Sequence, residues 1–142
     1  MKNDKTDNHE QIFWEEIDRL FPDMIKAIAS LSKKSYLSIT NLRTGITWWS
    51  ERAMDYFGMK ENYTIRSMEK ANRKIHPDDV ATFKRGFKER VDGKNLDTAW
   101  EYRIQDGDSY NRFNAMARVL YDEQEQPFII IIRYDNYGIS DE

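Results

Sequence analysis

The sequence predicts an α+β domain: one antiparallel sheet of five strands with helices on one face and an amphipathic N-terminal helix outside it. Three observations carry this. Segments follow the order strand, strand, helices, strand, strand, strand; hydrophobic periodicity changes from helical to alternating near Asp97; and Phe128 to Ile132 is an unbroken apolar run of strand length. Such a run fits a central strand covered on both faces.

The elements follow in chain order. Residues 1–10 are polar and read as a disordered tail, and 11–34 form an N-terminal helical segment. Within it Phe13, Ile17, Leu20, Met24 and Ile28 recur at three- and four-residue steps, an apolar stripe on one helical face. Pro22 predicts a kink, or two helices with Pro22 opening the second. The stripe fits either packing on the chain's own sheet or a dimer seam.

Ser35 to Asn41 alternates, Arg43-Thr44-Gly45 is a turn, and Ile46 to Trp49 completes a hairpin. Neighbouring strand residues point to opposite faces, so Trp48 and Trp49 must part company. Ser50 is placed to cap a helix from Glu51 to Phe57 that Gly58 ends. Thr64 to Ile75 reads as loosely helical. Pro77 then opens a clearer helix to Val91, with Asp78 and Asp79 where free backbone N–H groups favour anions. Thr98 to Gln105 alternates, Asp106-Gly107 turns the chain, and Tyr110 to Tyr121 is a long strand before the apolar run.

Composition narrows the function classes. The 22 basic and 25 acidic residues are interspersed, giving a formal net charge of −3 and no basic face, which argues against nucleic acid as a partner. Without cysteine there is no disulfide, no thiolate metal site and no cysteinyl flavin. The N-terminus lacks the apolar core of a signal peptide, and no apolar run reaches the roughly 18 residues of a membrane span, so a cytoplasmic location is expected. With only His9 and His76 available, catalytic and metal-ligating sets are hard to assemble; no catalytic or metal residue is assigned. His76 fits a turn or capping role, and the helix that follows holds no histidine, which argues against haem.

Within this frame His76-Pro77-Asp78-Asp79, Glu101-Tyr102-Arg103 and Asp135 resemble the signature of the PAS fold, over roughly Ser35 to Asp135. Residues 35–137 are read as that domain and 138–142 as the start of a linker to an effector domain. Thr40 to Gly45, Trp49-Ser50 and Asp55 to Gly58 are similar to PAS domains at the N-terminus of bacterial GGDEF diguanylate cyclases. The resemblance implies a non-catalytic sensory input domain of a cyclic-di-GMP synthase, working as a homodimer and passing its signal through Asp135. Ligand-independent dimerisation and a histidine kinase input are the alternatives.

A ligand pocket, if present, draws on Trp49, Phe57, Phe83, Phe87, Trp100 and Tyr102, residues that serve equally well as plain core. Arg133 is the one charge in the last strand's apolar stretch and shares a face with Ile129 and Ile131. Facing inward, it needs an acid such as Glu101 or a ligand carboxylate; at an exposed strand end it is simply solvated. No cofactor is assigned; an occupant of such a pocket is an unknown small molecule.

Overall fold

The chain begins with two helices, α1 (Lys5–Leu20) and α2 (Met24–Leu31), in a computed structural model that describes residues 5–65 and 73–140. The break between them comes at Phe21-Pro22-Asp23, where Asp23 adopts a left-handed backbone with φ 65°. Pro22 thus sits in the break and does not open the second helix. α1 starts at Lys5, inside the segment expected as a loose tail. Once Phe13 and Ile17 anchor a turn, each further residue fixes one more hydrogen bond at little cost.

Strands β1 (Tyr36–Asn41), β2 (Ile46–Trp49), β3 (Tyr63–Ile65), β4 (Trp100–Asp106), β5 (Ser109–Tyr121) and β6 (Pro127–Ile139) form one antiparallel sheet in the order β3-β2-β1-β6-β5-β4. The sixth strand is β3. Its aromatic and β-branched residues pair at the edge, Trp48 with Tyr63 and Ile46 with Ile65, where a loose helix was expected. Ile75, the far end of that expected helix, bridges Ile104; residues 66–72 lie outside the described residues. β6 continues to Ile139, beyond the expected linker start at 138, and Ser140 N–H still donates to Tyr110 C=O at 2.8 Å. The strand bends at Gly138, whose φ of 90° favours glycine and whose N–H donates to Asn136 Oδ1 at 2.8 Å.

Between β2 and β3 lies α3 (Glu51–Phe57). Its cap is as expected: Ser50 Oγ accepts from Ala53 N–H at 3.3 Å, and Gly58 closes the helix with φ 68°. Ser50 also accepts from Leu37 N–H at 3.1 Å and donates to Ser35 C=O, joining the helix start to β1. A 3-10 turn at Pro77–Asp79 leads into α4 (Val80–Val91), with His76 Nδ1 accepting from Asp78 N–H at 3.1 Å.

Both sheet faces are covered. On the inner face Trp49, Tyr102, Ile104, Phe113, Ile130 and Ile132 pack with Ala53 of α3 and Phe83 of α4. On the outer face Leu37, Ile39, Ile46, Trp48, Phe128 and Ile129 pack with Phe13 and Ile17 of α1 and Ile25 and Ala29 of α2. The two tryptophans separate as the alternation requires. Trp100 is sandwiched at the helix: an added Cβ on Gly86 would fall 2.6 Å from its Cδ1, and the Arg90 guanidinium stacks on its ring at 4.1 Å.

The N-terminal stripe packs in large part on the chain's own sheet. Phe13 and Ile17 are fully buried, Leu20 and Ile28 half-buried against the same cluster, and Met24 is 43% exposed. Arg43, in the β1–β2 turn, fastens this arrangement. It pairs with Glu16 of α1 at 2.6 Å and Asp122 of the β5–β6 turn at 2.5 Å, while its guanidinium lies 4.7 Å from the Phe128 ring centre.

Replacing Phe13 by alanine is expected to lower the unfolding free energy by about 3–5 kcal/mol, and Met24→Ala to change it by no more than about 0.5 kcal/mol. Urea titration reads both. Equal effects of the two substitutions would contradict packing on the chain's own sheet.

Candidate functional site

A cavity of about 420 Å³ lies between the inner sheet face and the helices. Strand alternation builds its walls. Ser38 and Thr40 come from β1, Thr47 and Trp49 from β2, Tyr102 and Ile104 from β4, and Ile132 and Tyr134 from β6. Phe57 at the end of α3, Ile75, and Phe83 and Phe87 of α4 close it from above, while Thr44, Gly45 and the partly exposed Ile65 mark one end. The space exists because Ser38 and Thr40 of β1 and Thr47 of β2 are short on this face. Cross-strand neighbours Thr40 and Thr47, with Ser38 beside Trp49, leave volume beneath α4 that larger residues would fill.

Most polar atoms of the lining are partnered inside it. Ser38 Oγ and Tyr134 OH are 3.0 Å apart, Thr40 Oγ1 and Thr47 Oγ1 2.7 Å, and Trp49 Nε1 donates to Thr64 Oγ1 at 2.7 Å. Tyr102 differs. It is 1% exposed, packs edge-on against Phe83 at 4.9 Å, and its hydroxyl has no hydrogen-bond partner. A buried polar group left so costs roughly 1–3 kcal/mol. Burial pushes the Tyr102 phenol well above its usual 10, with the neighbouring Tyr134 adding to the shift. Burial likewise takes Tyr134 up to about 12, against the opposing Ser38 hydrogen bond. Both remain protonated donors at neutral pH.

Of the predicted pocket residues, Trp49, Phe57, Phe83, Phe87 and Tyr102 meet at this cavity. Trp100 does not line it; it is held between Gly86 and Arg90. Arg133, weighed as either inward or solvated at an exposed strand end, and Ile131, a pocket candidate on the same face, do not line the cavity. The inward face of β6 carries Ile130, Ile132 and Tyr134, so Ile131 packs with the outer cluster. The Arg133 side chain is 58% exposed and pairs with Asp135 at 3.3 Å. Glu101, its suggested partner, pairs with Arg112 at 3.0 Å. Asp135, expected to close the last strand and transfer the signal, is half-buried within β6, opposite Asn114 of β5. Ser38, Thr40, Thr47, Ile132 and Tyr134 were missed. For Ser38 and Thr40 the signal was hydroxyl-bearing residues at alternate positions of β1, with Thr47 of β2 opposite Thr40.

Asp79 holds β4, and with it Tyr102, against the start of α4. Its Oδ2 accepts from Arg103 N–H at 2.9 Å and Nε at 2.8 Å, and its Oδ1 from Nη2 at 3.0 Å. No cluster of His, Asp and Glu fit to hold a metal ion occurs among the described residues, and no helix there is long and apolar enough to cross a membrane.

Comparison with known proteins agrees with this geometry. The family model described as PAS fold matches residues 46–132, more than half the chain, and the chain belongs to that family. No curated protein matches. Among solved structures, a sensory box histidine kinase/response regulator from Burkholderia thailandensis is similar, with TM-score 0.60 and 16% identity over 79% of this chain and 83% of that one. The N-terminal domain of a diguanylate cyclase with PAS/PAC sensor from Marinobacter aquaeolei aligns with TM-score 0.60 and 15% identity, over 73% of this chain and 95% of that one. A PAS domain from Colwellia psychrerythraea gives TM-score 0.54 and 17% identity, over 82% and 98%. At these identities the likeness is one of fold.

The Arg103 hydrogen bonds hold the Asp79 carboxyl below its usual 3.8 despite partial burial. A depressed folded value means that the stabilisation is present above about pH 4 and is lost as pH falls through the lower folded value. Asp79→Asn should cost about 1–3 kcal/mol at neutral pH and flatten the acid limb of the stability profile. Denaturant melts across the acid range would show an unchanged limb if the pairing were unimportant.

Proposed function

We propose that this chain is a sensory input domain whose cavity takes a small ligand and whose output is a covalently linked effector, most specifically a GGDEF diguanylate cyclase. The observation that carries the sensory reading is the cavity itself, about 420 Å³ within a packed domain and walled by Tyr102, whose hydroxyl lacks a partner. A core serving only dimerisation has no reason to retain such a space or such a hydroxyl, since cavities and unpaired polar groups both destabilise. Pockets of this size, apolar with a few polar groups, are typical of small-molecule sites.

The cyclase assignment is supported by the resemblance of Thr40 to Gly45, Trp49-Ser50 and Asp55 to Gly58 to sensors of that class, and by a diguanylate cyclase sensor among similar structures. A histidine kinase output has one specific observation in its favour, a kinase/response regulator with the same TM-score of 0.60. The homodimer is part of the proposal, and β6, leading to Asp135 and Ile139, is its exit path.

Native mass spectrometry of the purified chain is expected to show a dimer retaining a small molecule that is released on denaturation. Filling the cavity by Ser38→Phe should remove that extra mass while the protein remains folded by circular dichroism. A wild-type chain that carries nothing, and gains no thermal stability from any compound of a small-metabolite library, would sink the ligand reading. Reading the coding sequence beyond Glu142 tests the output: a GGDEF motif supports the cyclase and a kinase core overturns it.

A further inference from the structure

Resting for its occupant on that reading of the cavity, we infer that the tip of the β1–β2 hairpin, residues 41–45, couples what fills the cavity to the seating of α1 on the opposite face of the sheet.

The tip touches both sides. Thr44 and Gly45 line one end of the cavity. Two residues of the same turn grip α1: Asn41, fully buried, donates from Nδ2 to Phe13 C=O at 3.5 Å, and Arg43 pairs with Glu16 at 2.6 Å. Phe13 and Glu16 are three residues apart, so both attachments fall within one turn of the helix.

The tip has little freedom to absorb a displacement. Asn41 Oδ1 accepts from Arg43 N–H at 3.0 Å and from Thr44 N–H at 3.4 Å, and Asn41 C=O accepts from Gly45 N–H at 2.8 Å. Ile46 N–H donates to Thr44 Oγ1 at 3.3 Å, and Leu42 N–H to Phe128 C=O at 2.8 Å. One side chain, Asn41, therefore holds the rim residue Thr44 and the helix residue Phe13 together. A contact that moves Thr44 moves Asn41 and Arg43 with it, because closely packed interiors transmit strain. Such coupling is reciprocal: an occupant that shifts the tip shifts α1, and a change in the grip on α1 changes the hold on the occupant. α1 is thereby a second outlet beside β6.

A parallel connection runs along the sheet edge, where Ile65 borders the cavity and Tyr63 OH accepts from Trp14 Nε1 at 3.0 Å. Amide hydrogen exchange of the intact chain separates the two routes in four proteins: wild type, Thr40→Met, Glu16→Ala and the double variant. Thr40→Met puts a longer side chain into the cavity next to Asn41. Glu16→Ala removes the ion pair to α1 and leaves Arg43 its Asp122 partner. Relative to the β5 amides, which report global opening, Thr40→Met should shift exchange of the α1 amides at residues 13–20 by roughly fivefold, the low end of coupling energies. With Glu16→Ala in place the shift should fall to about twofold, the part carried by Asn41, and Glu16→Asp, which keeps the charge, should recover some of it.

An equal α1 response with and without Glu16 assigns the coupling to the Tyr63 edge and overturns the role of the tip. No α1 response to a filled cavity overturns the coupling altogether. Should Thr40→Met fail to fold, Ser38→Met supplies the filling and the same comparison decides. The ligand reading fails separately, by the absence of retained mass and of any thermal shift, and the exchange result stands whichever way that falls.

Discussion

The unbroken apolar stretch Phe128–Ile132 at the centre of the sheet obliges the rest of the molecule to cover both faces. A strand in which every side chain is apolar has no face to give to water. Phe128 and Ile129 are fully buried toward α1 and α2, and Ile130 and Ile132 toward α3 and α4. The N-terminal helices are thereby part of the domain's core, and Phe13 and Ile17 complete it as much as any strand residue does. Arg43 adds direction to this packing, because its links to Glu16 and Asp122 fix which end of α1 meets which end of the sheet.

The two coverings differ in quality. The outer one is closely filled: Trp48 occupies the space beneath the helices, and Tyr63 reaches Trp14 Nε1 through a 3.0 Å hydrogen bond. The inner one is tight over β5, where Phe113, Ala115 and Ala117 are buried, and open over β1 and β2, where Ser38, Thr40 and Thr47 stand. One sheet face thus holds both a packed half and a hollow half. β2 spans the two functions in consecutive residues: Thr47 and Trp49 border the cavity, and Trp48 supports the N-terminal helix.

How much of this was legible in the sequence depended on whether a local pattern named a face. Ser50 and Gly58 marked the bounds of α3, and the adjacent tryptophans announced that both sheet faces would be filled, because caps and strand alternation are local properties. The aromatic lining was visible for the same reason. The orientation of Arg133 stayed open because the apolar run before it, Phe128–Ile132, does not alternate and so says nothing about which face looks inward; the pairing of Ser38 with Ile132 decides it. β3 was hidden because a three-residue edge strand is specified by its partner Ile46–Trp48 more than by its own sequence. The hydroxyl floor was read only as strand propensity, since whether a threonine faces solvent or a cavity depends on the distant α4.

The contact between Gly86 and Trp100 sets a rule that reaches beyond this one sequence. Backbone and indole meet so closely that the volume at the two positions is a single shared quantity, with Arg90 closing it from the other side through its hydrogen bond to Gly86 C=O at 3.3 Å. A Cβ at Gly86 is compatible only with a smaller side chain at 100. A side chain gained on the helix must be matched by a ring lost from the strand.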